Sequence, residues 1–164
     1  MRLFLDTEFT DFVDCELISI GMVSEDGQHV FYAEVQDFDR TKCNPYVQSG
    51  IWPLLGKSPG AIMPRAKLAE QLRTWFAGLP RSLTIACDSY MDWELLVDVL
   101  DGELPENIQG REDLRTLIDT TVFNKAVCQY HGVPGQPWHH ALHDAHAHRA
   151  GWMAWMDAKK NKTA

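Results

Sequence analysis

The apolar positions fall into short runs at the start of the chain and into spaced stripes further on. Met1 to Asp6 reads as a short buried strand, Leu17 to Val23 as a second and His29 to Val35 as a third. Glu25-Asp26-Gly27-Gln28 separates the last two, and an Asp-Gly step between apolar runs signals a hairpin, so an antiparallel meander is predicted. Residues 36–64, with Pro45, Pro53, Pro59 and Pro64, predict a long irregular connection holding at most a helical turn. From Arg65 to Gly78, Ala66, Leu68, Ala69, Leu72, Trp75 and Phe76 recur at helical spacing. Ser82 to Cys87 is β-like, Tyr90 to Leu100 helical, Leu114 to Ile118 strand-like and Thr120 to Tyr130 helical, and a last helix runs from His140 to Ala158. Strands in a meander, then alternating with helices, predict an α/β fold with a mixed sheet flanked by helices. The expectation is one domain over residues 1–158 and a frayed basic tail over 159–164.

The first strand ends in Phe4-Leu5-Asp6-Thr7-Glu8-Phe9-Thr10. Successive side chains on a strand point to opposite faces, so Asp6 and Glu8 project side by side. Two acids that close raise each other's pKa unless a cation lies between them. A divalent-metal site is the economical explanation.

Other groups suited to such a site lie downstream. In Ala86-Cys87-Asp88-Ser89-Tyr90-Met91-Asp92 the chain leaves a strand and enters a helix. Leu95, Leu96 and Val99 define the inward face, and Asp92 shares it. A buried carboxylate there must be capped, paired or metal-bound. Taken alone, Asp92 reads equally well as a charge favouring the helix N-terminus. Asp88 stands where an N-cap belongs, and capping is its expected role.

Five of the seven histidines lie between 139 and 148, a clustering too dense for background. Asp144 flanks a stripe of Ala141, Ala145, His148, Trp152 and Trp155, while His139 follows the turn-rich segment 132–137 and precedes the helix. From there His139 would lean over a site that Asp144 enters, and imidazole suits the removal of a proton from water. The alternative is a zinc site using His139 with His143, or His140 with Asp144, at i, i+4. The HExxH glutamate and cysteine ligands are missing, which counts against zinc.

Composition narrows the field without deciding it. With 164 residues, 45% hydrophobic and 23% charged, the chain suits one globular domain. No run approaches a membrane helix, and no export signal opens the chain, so a cytoplasmic location is expected. Cys15, Cys43, Cys87 and Cys128 lack CxxC spacing and fit thiols in a reducing compartment. A net charge of −8 argues against coating duplex DNA through a basic surface, yet bound Mg²⁺ would bring positive charge to a phosphate. Trp152, Met153, Trp155 and Met156 would serve either a homodimer interface or the core, and the core is the preferred assignment.

Asp6-x-Glu8, Asp92 after a strand, and His139 five residues before Asp144 together resemble the histidine-subtype DEDD 3′–5′ exonucleases. Glu16-Leu17-Ile18-Ser19-Ile20-Gly21 resembles the family's second strand, and His139-x-Ala141-Leu142-x-Asp144-Ala145 its third motif. Ile118-Asp119-Thr120 resembles the strand end before that motif's helices. The motifs run in family order from residue 4 to 145, and small bacterial exoribonucleases are the most similar members. One departure is Asp88, where many relatives carry asparagine.

The resemblance implies a ribonuclease-H-like fold and two Mg²⁺, or Mn²⁺, held by Asp6, Glu8, Asp92 and Asp144. His139 would be general base, and the substrate single-stranded RNA shortened from its 3′ end to nucleoside monophosphates, with DNA as the alternative. Phe9 and Thr10 would contact the terminal nucleotide. Trp52, in the long connection, would either stack on a base or tie the loop down.

Overall fold

The computed structural model describes residues 1–163. Strands β1 (Arg2–Phe9), β2 (Leu17–Ser24) and β3 (Val30–Val35) form the expected meander, both ladders antiparallel. Gly27, at φ 76, turns β2 into β3 in a backbone conformation that costs glycine little. The connection that follows holds short helical turns at Arg40–Lys42, Val47–Ile51 and Trp52–Leu54. It also holds β4 (Ile62–Met63), which runs parallel to β3 and was not foreseen.

The second half supplies α1 (Arg65–Ala77), β5 (Leu83–Cys87), α2 (Tyr90–Val99) and β6 (Ile108–Asp113). Next come α3 (Arg115–Ile118), α4 (Thr121–His131) and α5 (Ala141–Thr163). The six strands lie in the order β4-β3-β2-β1-β5-β6, with β5 parallel to both β1 and β6. This mixed sheet flanked by helices is an α/β fold compatible with a ribonuclease-H-like architecture.

Two expectations are corrected here. Leu114 to Ile118 is a helical turn, because Leu114, Leu117 and Ile118 sit at i, i+3, i+4 and pack into one cluster. The strand is Ile108–Asp113, a sheet-edge segment too polar for hydrophobic alternation to reveal. At the other end, α5 continues through residues 159–163 where a frayed tail was expected.

The sheet divides the core. Leu3, Leu5, Ile20, Met22 and Ile85 pack with α1 and α2 on one face, and Phe4, Val23 and Ala86 pack with α4 and α5 on the other. The inward stripe of α5 is Ala141, Ala145, His148 and Trp152, as its spacing predicted. Trp152 meets the Phe4 ring at 5.8 Å with the Arg2 guanidinium 4.1 Å above it. Met153 is exposed instead, and Trp155 is half-buried beneath Lys159. No helix among the described residues is long and apolar enough to cross a membrane.

One contact sets the height of α5 over the sheet. A Cβ on Gly21 would collide with the backbone of Ala141 and Leu142, so the helix start rests directly on bare β2 main chain. Neither neighbour is a flexible side chain that can swing aside. Gly21→Ala is therefore expected to destabilise the fold by about 2–3 kcal/mol, measured by urea unfolding. A loss below about 0.5 kcal/mol would show that α5 shifts freely.

Candidate active site

Across the β1–β2 ladder Asp6 faces Gly21 and Glu8 faces Ser19, so both acids lie on the side of the sheet that α5 covers. Asp144, in the first turn of α5, descends onto them. One oxygen each from Asp6, Glu8 and Asp144 lie within 4.8 Å of one another. Burial, then the charges of Asp92, Asp144, Glu8 and Asp88, push the Asp6 carboxyl well above its ordinary range. Burial and the charges of Asp144 and Asp92 raise Glu8 to about 8. Asp144 is raised too, its burial outweighing the opposing pull of nearby histidines.

Asp144 accepts one hydrogen bond and faces one imidazole. The His140 amide donates to its Oδ2 at 3.0 Å, and His131 Nε2 lies 3.1 Å from its Oδ1. His131 is itself fixed, donating from Nδ1 to the Gln136 carbonyl at 3.1 Å and stacking on Trp138 at 3.8 Å. The sequence pattern did not single out His131. It closes a helix, where a histidine is unremarkable, and only the fold carries it to Asp144.

Asp92 arrives from the other face of the sheet. It is 2% exposed, and its Oδ1 accepts from the Thr7 amide at 3.2 Å and the Thr7 hydroxyl at 2.6 Å. Thr7 alternates with Asp6 and Glu8 and so points away from them. That is why Asp92 is not among the three converging oxygens. Its second oxygen has no hydrogen-bond partner among the described residues, and burial, opposed by the Thr7 bond, raises its carboxyl to about 7. Among the charges acting on Asp6, that of Asp92 is the largest.

Asp88 does not cap α2. Ser89 does, its hydroxyl accepting from the Met91 amide at 3.1 Å. The Asp88 side chain turns instead toward α5, with Oδ2 3.4 Å from His148 Nε2. Burial pushes Asp88 up, but the His148 contact and charge outweigh it and leave the carboxyl below its usual range. For His148 burial pulls downward, and the acids around it win and raise it.

His139 precedes α5 at φ 61, and its Nε2 lies 2.6 Å from the Tyr46 hydroxyl with the two rings edge to face. The His139 charge acts on Asp144, while burial and then the charges of Glu8 and Asp144 raise Tyr46. This exposed pair thus stands at the rim of the acids. Tyr46 reaches this rim from the long connection between β3 and α1.

The histidines of the zinc alternative make other contacts. His140 stacks on Tyr32 at 4.6 Å and meets the His143 ring at 4.7 Å, while His143 Nδ1 lies 3.0 Å from the Tyr130 hydroxyl. Among the described residues, the groupings with metal-binding geometry involve none of His139, His140 and His143.

Of the expected nucleotide contacts, Phe9 is partly buried and packs edge to face on Phe12, 5.2 Å away and 75% exposed. Thr10 is fully buried, and its hydroxyl accepts from the Glu16 amide at 3.0 Å, closing the intervening loop. Trp52 packs against the core beneath Arg40, so it ties the long connection down. Aromatic surface beside the first motif is therefore offered by Phe9 and Phe12, while Thr10 and Trp52 have structural work.

Crowded acids, an unpartnered Asp92 oxygen and all-oxygen donors suit hard divalent cations. The fold and this centre define an α/β protein built around convergent carboxylates, one buried and two half-buried. No protein-family model matches the chain. It is similar to two 3′–5′ exoribonucleases of Mycobacterium tuberculosis, from strains CDC 1551 and H37Rv, each 45% identical over 56 residues. The match covers 34% of this chain and 33% of each relative, so the chain spans about a third of the length of the curated relatives it matches.

The raised carboxyls carry a pH signature. Glu8 has an ordinary value of 4.5 and a folded value of about 8, so its contribution is fully present below 4.5 and is lost as pH rises through about 8. The Tm of chelator-treated protein should fall across that window, and Mg²⁺ or Mn²⁺ should raise Tm more at its upper end than at its lower. A cation effect independent of pH would contradict the assignment of Glu8 to the centre.

Proposed function

We propose that the chain is a metal-dependent 3′–5′ exoribonuclease that hydrolyses single-stranded RNA from its 3′ end to nucleoside monophosphates. The observation that carries this reading is the convergence of Asp6, Glu8 and Asp144 oxygens within 4.8 Å at the end of β1. The ordered motifs agree with it, as does the activity for which the two partial relatives are named.

Asp6, Glu8 and Asp144, with Asp92 behind them, would hold two divalent cations. Bound cations of this kind neutralise phosphate charge, activate water and stabilise a leaving oxygen. The chain's own residues supply the remainder. His139 takes the proton from the attacking water at its Nε2, the atom that now meets the Tyr46 hydroxyl. That hydroxyl must yield the position when a substrate is bound. Thr7 fixes Asp92, and the His140 amide fixes Asp144, so the acids need not reorganise during the reaction. The Phe9–Phe12 pair offers rings on which a terminal base can stack.

The test is digestion of matched single-stranded RNA and DNA, labelled at either end, with Mg²⁺. Stepwise shortening from the 3′ end, faster on RNA, is expected. Products cut internally, or no cleavage with Mg²⁺ or Mn²⁺, would overturn the proposal, and faster cleavage of DNA would reassign the substrate. His139→Ala should lower turnover by about 10²–10⁴-fold, and Asp6→Asn should lower it to background, both with native circular dichroism. Near-normal turnover in both variants would remove the assignment of these residues.

A further inference from the structure

Beside the carboxylates lies a cavity of about 570 Å³, within the about 300–1,000 Å³ usual for a small-molecule site. One wall is the segment after the Trp52–Leu54 turn, with Leu54, Lys57 and Ser58. The other is the connection from α4 to α5, together with His140 and His143. The two walls are fastened to each other through β3. The Glu34 carboxylate, 3% exposed, accepts from the Gly56 amide at 2.8 Å through one oxygen and from the Tyr32 hydroxyl at 3.0 Å through the other. The Tyr32 ring stacks in turn on His140. The buried acid thus holds main chain at Gly56, where φ is 76, and the exposed Lys57 next to it makes no ion pair among the described residues.

The lining departs from the charge of the chain. Acids outnumber lysine and arginine by 23 to 15, yet the cavity wall holds a lysine, three histidines and no acid. The Lys57 charge acts on His140, and Val133, Pro134 and Pro137 add apolar surface. A cation beside imidazoles and apolar faces suits a phosphate joined to a planar ring. The cavity also adjoins the acids, since His131 lies 3.1 Å from Asp144 and the His140 amide bonds to it. It belongs to the α4 and α5 side of the sheet, whereas Phe9 packs with the α1 and α2 cluster. The convergent acids stand at the sheet end that both sides share.

We propose that this cavity holds the nucleotide preceding the terminal one in single-stranded RNA, with Lys57 on its phosphate and its base against Val133 and Pro134. The proposal rests on the nuclease reading for the direction of the strand and adds a second point of grip. A contact to the terminal nucleotide leaves with the product, whereas one to the preceding nucleotide stays with the shortened strand. A free nucleoside monophosphate offers the same chemistry, so the test separates the two sources.

Binding of a 5′-labelled RNA trinucleotide to the full chain, with Ca²⁺ in place of Mg²⁺ and across a salt series, tests the proposal. Lys57→Ala should weaken binding about fivefold and reduce the slope of log affinity against log salt by about 0.7, the share of one phosphate contact on a single strand. Val133→Asp, at a half-exposed position, should weaken binding by a similar factor with native circular dichroism. Lys67→Ala, at an exposed position of α1 across the sheet, should change neither quantity. Uridine 5′-monophosphate should bind Lys57→Ala and the unaltered protein alike. An unchanged salt slope in Lys57→Ala, or an equal loss in Lys67→Ala, would overturn the proposal. Monophosphate binding lost in step with RNA binding would give the cavity to a free nucleotide and overturn it too. RNA held in this way but not shortened with Mg²⁺ would overturn the nuclease reading and leave an RNA-binding cavity in place.

Discussion

Burial raises the cost of ionising Asp6, and the charges of Asp92, Asp144, Glu8 and Asp88 raise it further. Like charges gathered at one end of a sheet push apart unless the scaffold forbids it, and much of this fold acts as that restraint. Thr7 holds Asp92 by a hydroxyl and an amide, and the His140 amide holds Asp144. His148 stands against Asp88. Each acid apart from the β1 pair has its own clamp, drawn from a different segment of the chain.

Topology explains how so many acids meet. Strands β1 and β5 are parallel, so both finish at the same end of the sheet, where ligand sites of α/β proteins form. Helix α2 approaches from one face with Asp92, and α5 from the other with Asp144 and His148. The bare β2 backbone at Gly21, directly opposite Asp6, lets α5 come close enough to deliver them. Packing and chemistry are thus coupled at one residue that bears no side chain.

What could be read from the sequence followed from periodicity. Asp6 and Glu8 share a face because a strand repeats every two residues, and the inward stripe of α5 through His148 follows from helical spacing. The meander was legible from its Asp-Gly turn. Features that depend on tertiary approach were not. Asp88 and Ser89 are adjacent residues of capping type, and only the fold decides that Ser89 caps while Asp88 faces His148. Thr10 and Trp52 carry suitable groups beside plausible surfaces, yet one is buried against Glu16 and the other packs, partly buried, on the core. The edge strand Ile108–Asp113 escaped because a strand with one neighbour and polar faces has no hydrophobic rhythm.

The turn at His139 has a consequence for how this position can vary. With φ 61, its main chain is in the left-handed region that β-branched residues avoid and that asparagine, aspartate and histidine tolerate better. The imidazole therefore receives its aim from the curvature of the peptide chain as well as from rotation about its own bonds. Loop changes between Gly132 and Pro137 would swing the ring bodily while leaving its identity intact. On the proposed reading, such a change would re-aim the general base while every acid stays in place.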